Sequence, residues 1–490
     1  MAAKALMFQG TGSDVGKSLL VAGLCRLASR KGMRVQPFKP QNMSNNAAVT
    51  IDEGEIGRAQ ALQALACGVQ PTVHMNPVLL KPETENGSQL IVQGRLFGKA
   101  TGQQYQTMKS KLLPFVMDSF KQVSKEADLV LVEGAGSPAE INLRANDIAN
   151  MGFATAAGVP VILIGDIDRG GIIASIIGTK AVLSKIDAAQ IKGFIINKFR
   201  GDISLFSDGM SKIEQYTKWL GLGVIPWFDQ AIKLPAEDAM GLKNFKKSKN
   251  KGLMIAVPQL SRIANFDDLD PIRMEPGVHL VLVQPGEVIP VDADLVLIPG
   301  TKSTIGDLIF LRKQGWDIDI VSHVRRGGSV LGLCGGYQML GKKISDPLRI
   351  EGLEMEIKGL GLLDVETVLT PKKMLQRVIG VDTVYNENIC GYEIHIGTTD
   401  GPDCERPVIN VGTNNKIRQD GAATRDGRIT GSYVHGIFAS DGFRKAFLDA
   451  LGMQQTSSIN FNLEIEDTLD KLADHLEQFI DIKSLFELAR

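Results

Sequence analysis

The sequence predicts an α/β protein of two domains, each built on a parallel sheet that helices cover. Short apolar strands alternate with helical patterns through about residue 230, which is the order that βαβ units produce. The alternation resumes at Leu253–Val257, after a basic stretch at 243–251 that has almost no apolar residues. A chain of 490 residues is also too long for a single hydrophobic core.

These patterns set the limits of the domains. We predict a first domain over 1–242, a linker over 243–251, a second domain over 252–445 and a helical tail over 446–490. The tail carries an apolar face at helical spacing, formed by Leu469, Leu472, Leu476 and Phe479. We expect this face to pack on the body of the protein rather than to bind a partner.

Charge and composition favour small molecules as partners. The formal net charge is −1 and 44% of the residues are hydrophobic, so the chain has no charge excess suited to nucleic acid or to an anionic membrane. Its apolar runs are too short to span a bilayer, and no apolar signal segment precedes the first strand, so we expect a cytoplasmic protein. Five cysteines without paired spacing argue against a disulfide framework.

A glycine-rich loop follows the first predicted strand. Residues 4–9 are mostly apolar and lead into Gly10-Thr11-Gly12-Ser13-Asp14-Val15-Gly16-Lys17-Ser18, after which a helical pattern begins. Glycines such as Gly12 and Gly16 let backbone N–H groups surround phosphate oxygens. Lys17 adds a positive charge, and the Ser18 hydroxyl can bind Mg²⁺. The loop is one residue longer than the standard phosphate-loop spacing, and a glycine-rich turn without nucleotide is the weaker alternative.

A metal-bound nucleotide also needs an acid at the end of a neighbouring strand. The apolar run 129–132 ends in Glu133, which is the best metal ligand beside Ser18, and Asp52 is a weaker one. Glu55, Asp166 and Asp168 also follow strands. A turn or helix-capping role is the alternative for each of these acids.

A cysteine in the second domain has the setting of a nucleophile. Cys334 lies in Gly332-Leu333-Cys334-Gly335-Gly336, directly after an apolar run, where glycines permit a sharp turn from strand to helix. The positive end of a helix dipole favours the thiolate form of such a cysteine. The alternative is a small buried side chain that only packs in the core.

A nucleophilic thiol needs a base, and six histidines are available. His435 follows a short strand and precedes a glycine, so its imidazole can reach a neighbouring strand end. His395 alternates with apolar residues and fits a structural position in a sheet equally well.

Four longer segments carry a resemblance to known families. The second domain resembles the cobyrinate-type class I glutamine amidotransferases, and the first is similar to the dethiobiotin synthetase-like ATPases, which have this longer phosphate loop. Together they resemble the cobyric acid synthases over nearly the whole chain. The matching segments are Pro37–Asn46, Val132–Asn142, Gly165–Gly171 and Gly193–Asp202.

The resemblance implies a ligase that uses ATP, Mg²⁺ and glutamine. Cys334 would attack the glutamine carboxamide and His435 would transfer the proton, with oxyanion contacts near Gly300-Thr301 and Gly335. In the first domain, ATP would phosphorylate a substrate carboxylate, and Lys17 would neutralise phosphate charge during the transfer. The implied acceptor is a corrinoid a,c-diamide, whose b, d, e and g carboxylates become amides.

The sequence departs from many class I amidotransferases at one place. They carry a glutamate two residues after the histidine, where this chain has Ile437, so the sequence predicts a Cys–His dyad. Glu393 is a candidate to orient His435 instead.

Three other activities fit part of this sequence. A cobyrinate a,c-diamide synthase has the same architecture, but the asparagine-rich segment 40–46 differs from its Gly-Pro-Asp-Tyr type sequence, and we expect these asparagines to contact substrate. A partitioning-type ATPase switch would need neither Cys334 nor His435. A cell-wall amidotransferase usually keeps its glutaminase and its ligase on separate chains.

Overall fold

The computed structural model describes residues 3–83, 87–237, 252–352, 355–412, 417–453 and 458–490. Its strands are β1 Lys4–Gly10, β2 Val35–Phe38, β3 Gln41–Met43, β4 Ala47–Val49, β5 Glu55–Gly57, β6 Val78–Pro82, β7 Gly87–Val92, β8 Arg95–Thr101, β9 Leu129–Glu133, β10 Val161–Asp166, β11 Ile191–Phe199, β12 Leu220–Pro226, β13 Leu253–Pro258, β14 Val278–Val283, β15 Leu295–Ile298, β16 Ser329–Leu333, β17 Lys343–Ser345, β18 Glu356–Lys358, β19 Glu366–Asp382, β20 Asn388–Asp400, β21 Ile409–Val411, β22 Arg418–Asp420, β23 Ala422–Ala423 and β24 Ile429–Ser432.

The helices are α1 Lys17–Arg30, α2 Arg58–Cys67, α3 Gly102–Lys125, α4 Met151–Ala157, α5 Ile172–Val182, α6 Lys185–Gln190, α7 Ser207–Thr217, α8 Asp270–Arg273, α9 Thr304–Lys313, α10 Trp316–Arg325, α11 Gly335–Leu340, α12 Asp441–Ala450, α13 Phe461–Phe479 and α14 Ile482–Glu487. None of the helices in the described ranges is long and apolar enough to cross a membrane.

The chain forms two compact units. The N-terminal unit contains 1–44, 50–237 and 465–490, and the second unit contains 45–49 and 238–464. The predicted linker at 243–251 lies outside the described residues, and so does the predicted limit at 242. The predicted limit at 445 falls inside α12, and most of the predicted tail belongs to the N-terminal unit.

The N-terminal unit is built on a six-stranded sheet in the order β12-β11-β10-β1-β9-β2, with all neighbours parallel. Its central strands are buried on both faces, and their sequences are therefore nearly continuous apolar runs. Phe8 of β1 lies opposite Glu133 of β9, so the loop after β1 and the last residue of β9 come together at one edge. Ligands bind at this edge in open parallel sheets.

A smaller sheet in the same unit has the order β3-β6-β7-β8, parallel at β3–β6 and antiparallel beyond it. The core beside the main sheet includes three packed rings, Phe38, Phe120 and Phe153, whose centroids lie 5.2–5.4 Å apart. Such aromatic pairs add to the stabilisation that burial provides.

The second unit has a six-stranded sheet in the order β14-β13-β15-β16-β24-β23. All neighbours are parallel except the edge pair β23–β24. β16 lies between β15 and β24, so the residues that follow these three strands meet at one edge. The predicted fold class, α/β with a parallel sheet in each part, is confirmed.

The second unit also has a largely antiparallel sheet in the order β18-β17-β19-β21-β22, and β20 pairs with β19 in a long hairpin. Strand β20 and the segment after β24 pair through Tyr392 and His435, which exchange backbone hydrogen bonds at 2.8 and 3.0 Å. This contact ties the hairpin to the end of the parallel sheet.

Helix α13 gives the N-terminal unit one of its packed faces. Leu469, Leu472 and Leu476 are buried along it, and a Cβ at Gly23 of α1 would meet Leu472 and Leu476 within 2.8 Å. Two ion pairs of Arg26, with Glu466 and Asp470 at 2.8 Å each, border this contact. The apolar face of the tail therefore packs on the body, as its spacing predicts.

Candidate active sites

Cys334 occupies a sharp turn between β16 and α11. Its backbone has φ 52° and ψ −108°, which is unusual for a residue with a side chain and therefore marks local strain. The next residues must be glycines, because a Cβ at Gly336 would lie 2.1 Å from the Ile298 carbonyl oxygen. One at Gly335 would lie 2.6 Å from a methyl carbon of Thr301. The predicted nucleophile elbow is therefore present, with the 300–301 backbone packed against it.

The strand order brings His435 to this turn. Its imidazole is buried, and the Cys334 side chain is one of the groups that raise its pKa. A Cβ at Gly300 would lie 2.8 Å from the His435 ring, so glycine leaves room for the imidazole there. On its other side, the ring stacks on Tyr392 with the planes 17° apart. The sequence-predicted pair Cys334 and His435 is thus assembled by geometry.

A third residue, Asp268, completes the arrangement. Its Oδ2 lies 2.7 Å from His435 Nδ1, and its Oδ1 accepts a hydrogen bond from the Gly436 N–H at 2.6 Å. A carboxylate on Nδ1 holds the proton there and leaves Nε2 for the thiol. The predicted dyad is therefore wrong, because an aspartate from another part of the chain takes the place of the glutamate missing at Ile437.

Glu393 is also wrong as the residue that orients His435. Its carboxylate accepts from Gln376 at 2.5 Å, pairs with Arg418, and lies 3.9 Å from His395. Burial alone would raise the pKa of Glu393, but His395, Arg418 and Gln376 beside its carboxylate hold that pKa at about 2. His395 is thus a partner of Glu393 and stacks on Tyr433.

The pKa of His435 is raised well above its usual value. Burial by itself lowers the pKa, and the negative charges of Asp268 and Cys334 overcome that effect. The net direction favours the imidazolium form of His435. A cysteine and a histidine in this arrangement can attack a carbonyl carbon and then protonate the nitrogen that leaves it.

In the N-terminal unit, the loop 10–18 wraps the end of β1. Gly16 has φ 94°, and a Cβ there would lie 2.4 Å from the Asn197 amide nitrogen, so a larger residue is excluded. A Cβ at Gly12 would point into open space. Lys17 donates to the carbonyl oxygens of Gly12 at 3.0 Å and Gly136 at 3.2 Å. Burial lowers the pKa of Lys17, although Glu133 opposes the shift.

Glu133 is the centre of a buried polar cluster behind this loop. It is fully buried and accepts from the Ser18 hydroxyl at 2.7 Å, from the Lys39 ammonium at 2.8 Å and from the Gln63 amide at 2.6 Å. Asn42 donates to Gln60 at 3.0 Å, and Gln60 in turn lies 3.4 Å from Glu133. A buried carboxylate is tolerable here because each of its oxygens has a donor.

Glu237 brings a second carboxylate to the same place. It lies 2.5 Å from the Ser18 hydroxyl and pairs with Lys39. Burial alone would lower the pKa of Lys39, but Glu133 and Glu237 raise it above the ordinary value. Burial alone would raise the pKa of Glu237, and Lys39 lowers it. Two lysines, Lys17 and Lys39, therefore face two carboxylates beside the phosphate loop.

The structure does not bring Asp52 into this cluster. Its carboxylate lies 3.2 and 3.3 Å from the Val73 N–H in an exposed turn, which is the turn role that the sequence left open. Glu55 forms a buried ion pair with Lys81 at 3.0 Å. Asp166 pairs with Lys198 at 2.9 Å, and Asp168 with Arg200 at 2.8 Å.

The oxygen ligands at Ser18 and Glu133 fit Mg²⁺ better than a transition metal. Within the described part of the chain, no three His, Cys, Asp or Glu side chains gather as a metal site. Mg²⁺ needs no such cage, because it keeps several waters and takes one or two carboxylates together with substrate phosphates. The adjacent hydroxyl and carboxylate, 2.7 Å apart, provide that donor set.

Comparison with known proteins identifies the family. The cobyric acid synthase of Brucella suis biovar 1 is 59% identical over 487 residues, which cover 99% of this chain and 100% of that protein. The cobyric acid synthase of Brucella abortus strain S19 is also 59% identical, with the same coverage. The chain belongs to the cobyric acid synthase family.

Each half of this cobyric acid synthase family member also matches a family of its own. Residues 6–240 match the CobQ/CobB/MinD/ParA nucleotide binding domain, and residues 254–443 match the CobB/CobQ-like glutamine amidotransferase domain. The predicted family, and the prediction that the chain is an enzyme of the ligase class, are confirmed. The nucleotide-binding character of the first part is confirmed as well.

Solved structures resemble the chain more distantly. PurLQS from Thermotoga maritima is 16% identical, covers 44% of this chain and 97% of its own, and has a TM-score of 0.31. The MinD cell division protein of Aquifex aeolicus is 12% identical, covers 47% and 85%, and has a TM-score of 0.27.

Sequence reasoning missed Asp268, Lys39 and Glu237. Asp268 lies in the acid-rich segment Asn265–Asp270, a run that could have drawn attention to it. Lys39 directly follows β2, which is the same signal that selected Glu133 after β9. Glu237 has no local signal. Asn42 is buried and its amide donates to Gln60 within the cluster, and the expected substrate contact of the asparagines in 40–46 stays a prediction.

Proposed function

We propose that this protein amidates the b, d, e and g side-chain carboxylates of adenosylcobyrinic acid a,c-diamide, using ATP and the amide nitrogen of glutamine, to give cobyric acid. The observation that carries the proposal is the Cys334–His435–Asp268 arrangement in a chain whose other unit holds a phosphate loop beside Glu133. Both halves of a glutamine-dependent ligase are then accounted for.

In the glutaminase half, the Cys334 thiolate attacks the carboxamide carbon of glutamine. Backbone N–H groups near Thr301 and Gly335 are the proposed donors to the developing oxyanion. The His435 imidazolium gives its proton to the departing nitrogen, so that ammonia leaves and a glutamyl thioester remains on Cys334. Asp268 stabilises that imidazolium through Nδ1, and water then hydrolyses the thioester to glutamate.

In the ligase half, an acceptor carboxylate oxygen bonds to the γ-phosphorus of ATP and ADP leaves. Ammonia attacks the carbonyl carbon of the resulting acyl phosphate, and inorganic phosphate departs. Lys17, held by the Gly12 and Gly136 carbonyls, is placed to neutralise charge on the transferred phosphoryl group. The loop backbone at Gly12 and Gly16 is the proposed phosphate cradle.

Ser18 and Glu133 are the proposed ligands of Mg²⁺. The ion, when bound, would neutralise charge between the phosphates. Lys39 and Gln63 would hold the Glu133 carboxylate in its orientation toward Ser18. Asp52 contacts the Val73 N–H in its own turn, and its predicted role as a ligand stays a prediction.

The experiment is to incubate the protein with ATP, Mg²⁺, glutamine and adenosylcobyrinic acid a,c-diamide, and to follow the corrinoid mass. Four successive carboxylate-to-amide steps that each need ATP are expected. An unchanged corrinoid would contradict the proposal, and cobyrinic acid would then be offered as the acceptor of the related a,c-diamide synthase reaction.

Two variants separate the half-reactions. Cys334→Ala should lose turnover with glutamine and keep it with an ammonium salt, because only the nitrogen source is affected. Lys17→Ala should lose both. Glutamine use by the Cys334→Ala protein would remove this thiol from the mechanism. The cytoplasmic location predicted from the sequence stays a prediction.

A further inference from the structure

Helix α3 carries a lysine where its pattern calls for an apolar residue. The buried stripe of this helix runs through Tyr105, Lys109, Leu112 and Val116, at the spacing that faces a core. Lys109 is only 6% exposed. A lysine is almost never buried this far unless its ammonium has a partner.

The Lys109 ammonium makes no hydrogen bond or ion pair with another described residue. It lies 5.4 Å from the centre of the Tyr105 ring, a contact that offsets little of the cost of burying a charge. Burial lowers the pKa of Lys109, and the Asp147 carboxylate raises it from beyond ion-pair distance. Asp147 itself is occupied by the N–H groups of Ala149, Asn150 and Gly152, at 2.8–3.2 Å.

Lys109 lines a cavity of about 150 Å³. Its charged and polar walls include Lys109, Ser137, Glu140, Arg144 and Asp147. Arg144 donates two hydrogen bonds of 2.9 Å to the Asp187 carboxylate, and Glu140 is exposed. Among the described residues that line this cavity, Lys109 is the buried cation without an ion-pair partner.

The cavity adjoins the phosphate loop through Gly136. The backbone of Gly136 lines the cavity, and its carbonyl oxygen accepts the hydrogen bond from Lys17 at 3.2 Å. An anion held by Lys109 would thus lie next to the lysine that faces the transferred phosphoryl group. Size restricts what enters, because sites for whole drug-sized ligands begin near 300 Å³.

We propose that this cavity receives one carboxylate side arm of the acceptor and that Lys109 binds its carboxylate while the macrocycle stays outside. The inference rests on the proposed function and names the site at which the acceptor is presented for phosphorylation. An amide arm cannot form the same ion pair, so the cavity discriminates carboxylate arms from arms that have already been amidated.

The test compares Lys109→Met with Lys111→Met, since Lys111 is exposed on the same helix. Binding of adenosylcobyrinic acid a,c-diamide is followed by corrin absorbance in ultrafiltration, and KM is measured in steady state. A hydrogen bond to a charged group contributes about 1.5–3 kcal/mol, so Lys109→Met should raise both the Kd and the KM for the corrinoid about 10- to 150-fold. Lys111→Met should match wild type. ATP affinity and glutaminase rate should not change in either variant.

Two further measurements keep the proposal open to refutation. Lys109→Arg should recover part of the affinity, because the positive charge returns. In the wild-type protein, the corrinoid should protect Lys109, and not Lys111, from acetylation by acetic anhydride, read by mass spectrometry; this arm needs no variant to fold.

The outcomes are distinct. Suppose that the wild-type protein amidates the corrinoid. An unchanged Kd in Lys109→Met, or a Lys109 that the corrinoid does not protect, then overturns the cavity proposal alone. A wild-type protein that leaves the corrinoid unchanged overturns the proposed function and the cavity's ligand with it.

Discussion

Asp268 binds His435 from a position 167 residues away in the chain and raises the pKa of its imidazole. Its carboxylate binds the Nδ1 side of His435, and the thiol faces the other side. Because both partners are buried, their interaction is weakly screened by solvent. One aspartate therefore orients His435 and raises its pKa.

Asp268→Asn should lower the glutaminase kcat by about 10²–10⁴-fold, since the amide no longer stabilises the imidazolium. The carboxylate raises the pKa of His435, so its loss lowers that pKa and the imidazolium persists only to a lower pH. The alkaline limb of the kcat profile should move to lower pH. Measuring glutamate release from pH 6 to pH 10 tests this. Asp317→Asn, on the first turn of α10, is the matched control, and an unmoved limb in Asp268→Asn would contradict the assignment.

Glu133→Gln should lower ATP-dependent amidation about 100-fold, because the amide keeps the shape of the side chain and removes its charge from the proposed Mg²⁺ site. Turnover with an ammonium salt at several Mg²⁺ concentrations is the measurement. Glutaminase activity should persist, and Glu126→Gln, exposed at the end of α3, should behave as wild type. Full turnover by Glu133→Gln would remove this residue from the site.

Single residues were predictable where a local pattern carried the signal. Cys334 and Lys17 lie in glycine-rich turns whose backbone needs are visible in the sequence. Asp268 and Glu237 act through partners distant along the chain, and no local periodicity encodes those contacts. Asp52 had the right residue type after a strand, yet its carboxylate bonds the neighbouring turn at Val73.

At the scale of elements, parallel strands create both sites. β16 ends between β15 and β24, and β1 ends beside β9, so in each sheet the loops after adjacent strands converge. The apolar runs and the strand-to-helix turns made this architecture predictable. The long β19–β20 hairpin was not predicted, because its strands alternate exposed and buried residues without a strong apolar run.

Gly336→Ala tests how tightly the elbow is packed. The added Cβ would lie 2.1 Å from the Ile298 carbonyl oxygen, so the strand or the helix must shift. We expect a destabilisation of about 1–3 kcal/mol or more, together with loss of glutaminase activity. Urea unfolding and glutamate release measure the two effects. The control is Gly352→Ala, whose added Cβ would point into open space and should change neither stability nor activity. An active and stable Gly336→Ala protein would show that the elbow is not tightly packed against Ile298.

At the scale of the whole molecule, the N-terminal unit is assembled from distant parts of the sequence. Residues 465–490 belong to it, and Ala5 of β1 exchanges backbone hydrogen bonds with Arg490 at 2.7 and 3.2 Å. The amphipathic spacing of α13 was visible in the sequence. The unit on which that helix packs was not predictable from the sequence, since an apolar face specifies burial and does not specify a partner.

Leu476→Ala should destabilise the N-terminal unit by about 2–5 kcal/mol, because Leu476 is buried against Gly23 of α1. The matched control is Leu463→Ala on the same helix, where the side chain is 65% exposed. The measurement is thermal unfolding, monitored through the loss of ATP binding. Equal melting temperatures for the two variants would show that this helix contributes little.

The pairing of β1 with residue 490 also has a consequence for biosynthesis. The ribosome synthesises residues 1–237 long before residue 490. At about 5–20 residues per second, the time between the two lasts many seconds. During that time, the apolar groove on α1 that later receives Leu472 and Leu476 has no partner. The nascent N-terminal unit therefore cannot complete its packing until residues 465–490 have been synthesised. Chaperone binding or aggregation would compete with folding during that time.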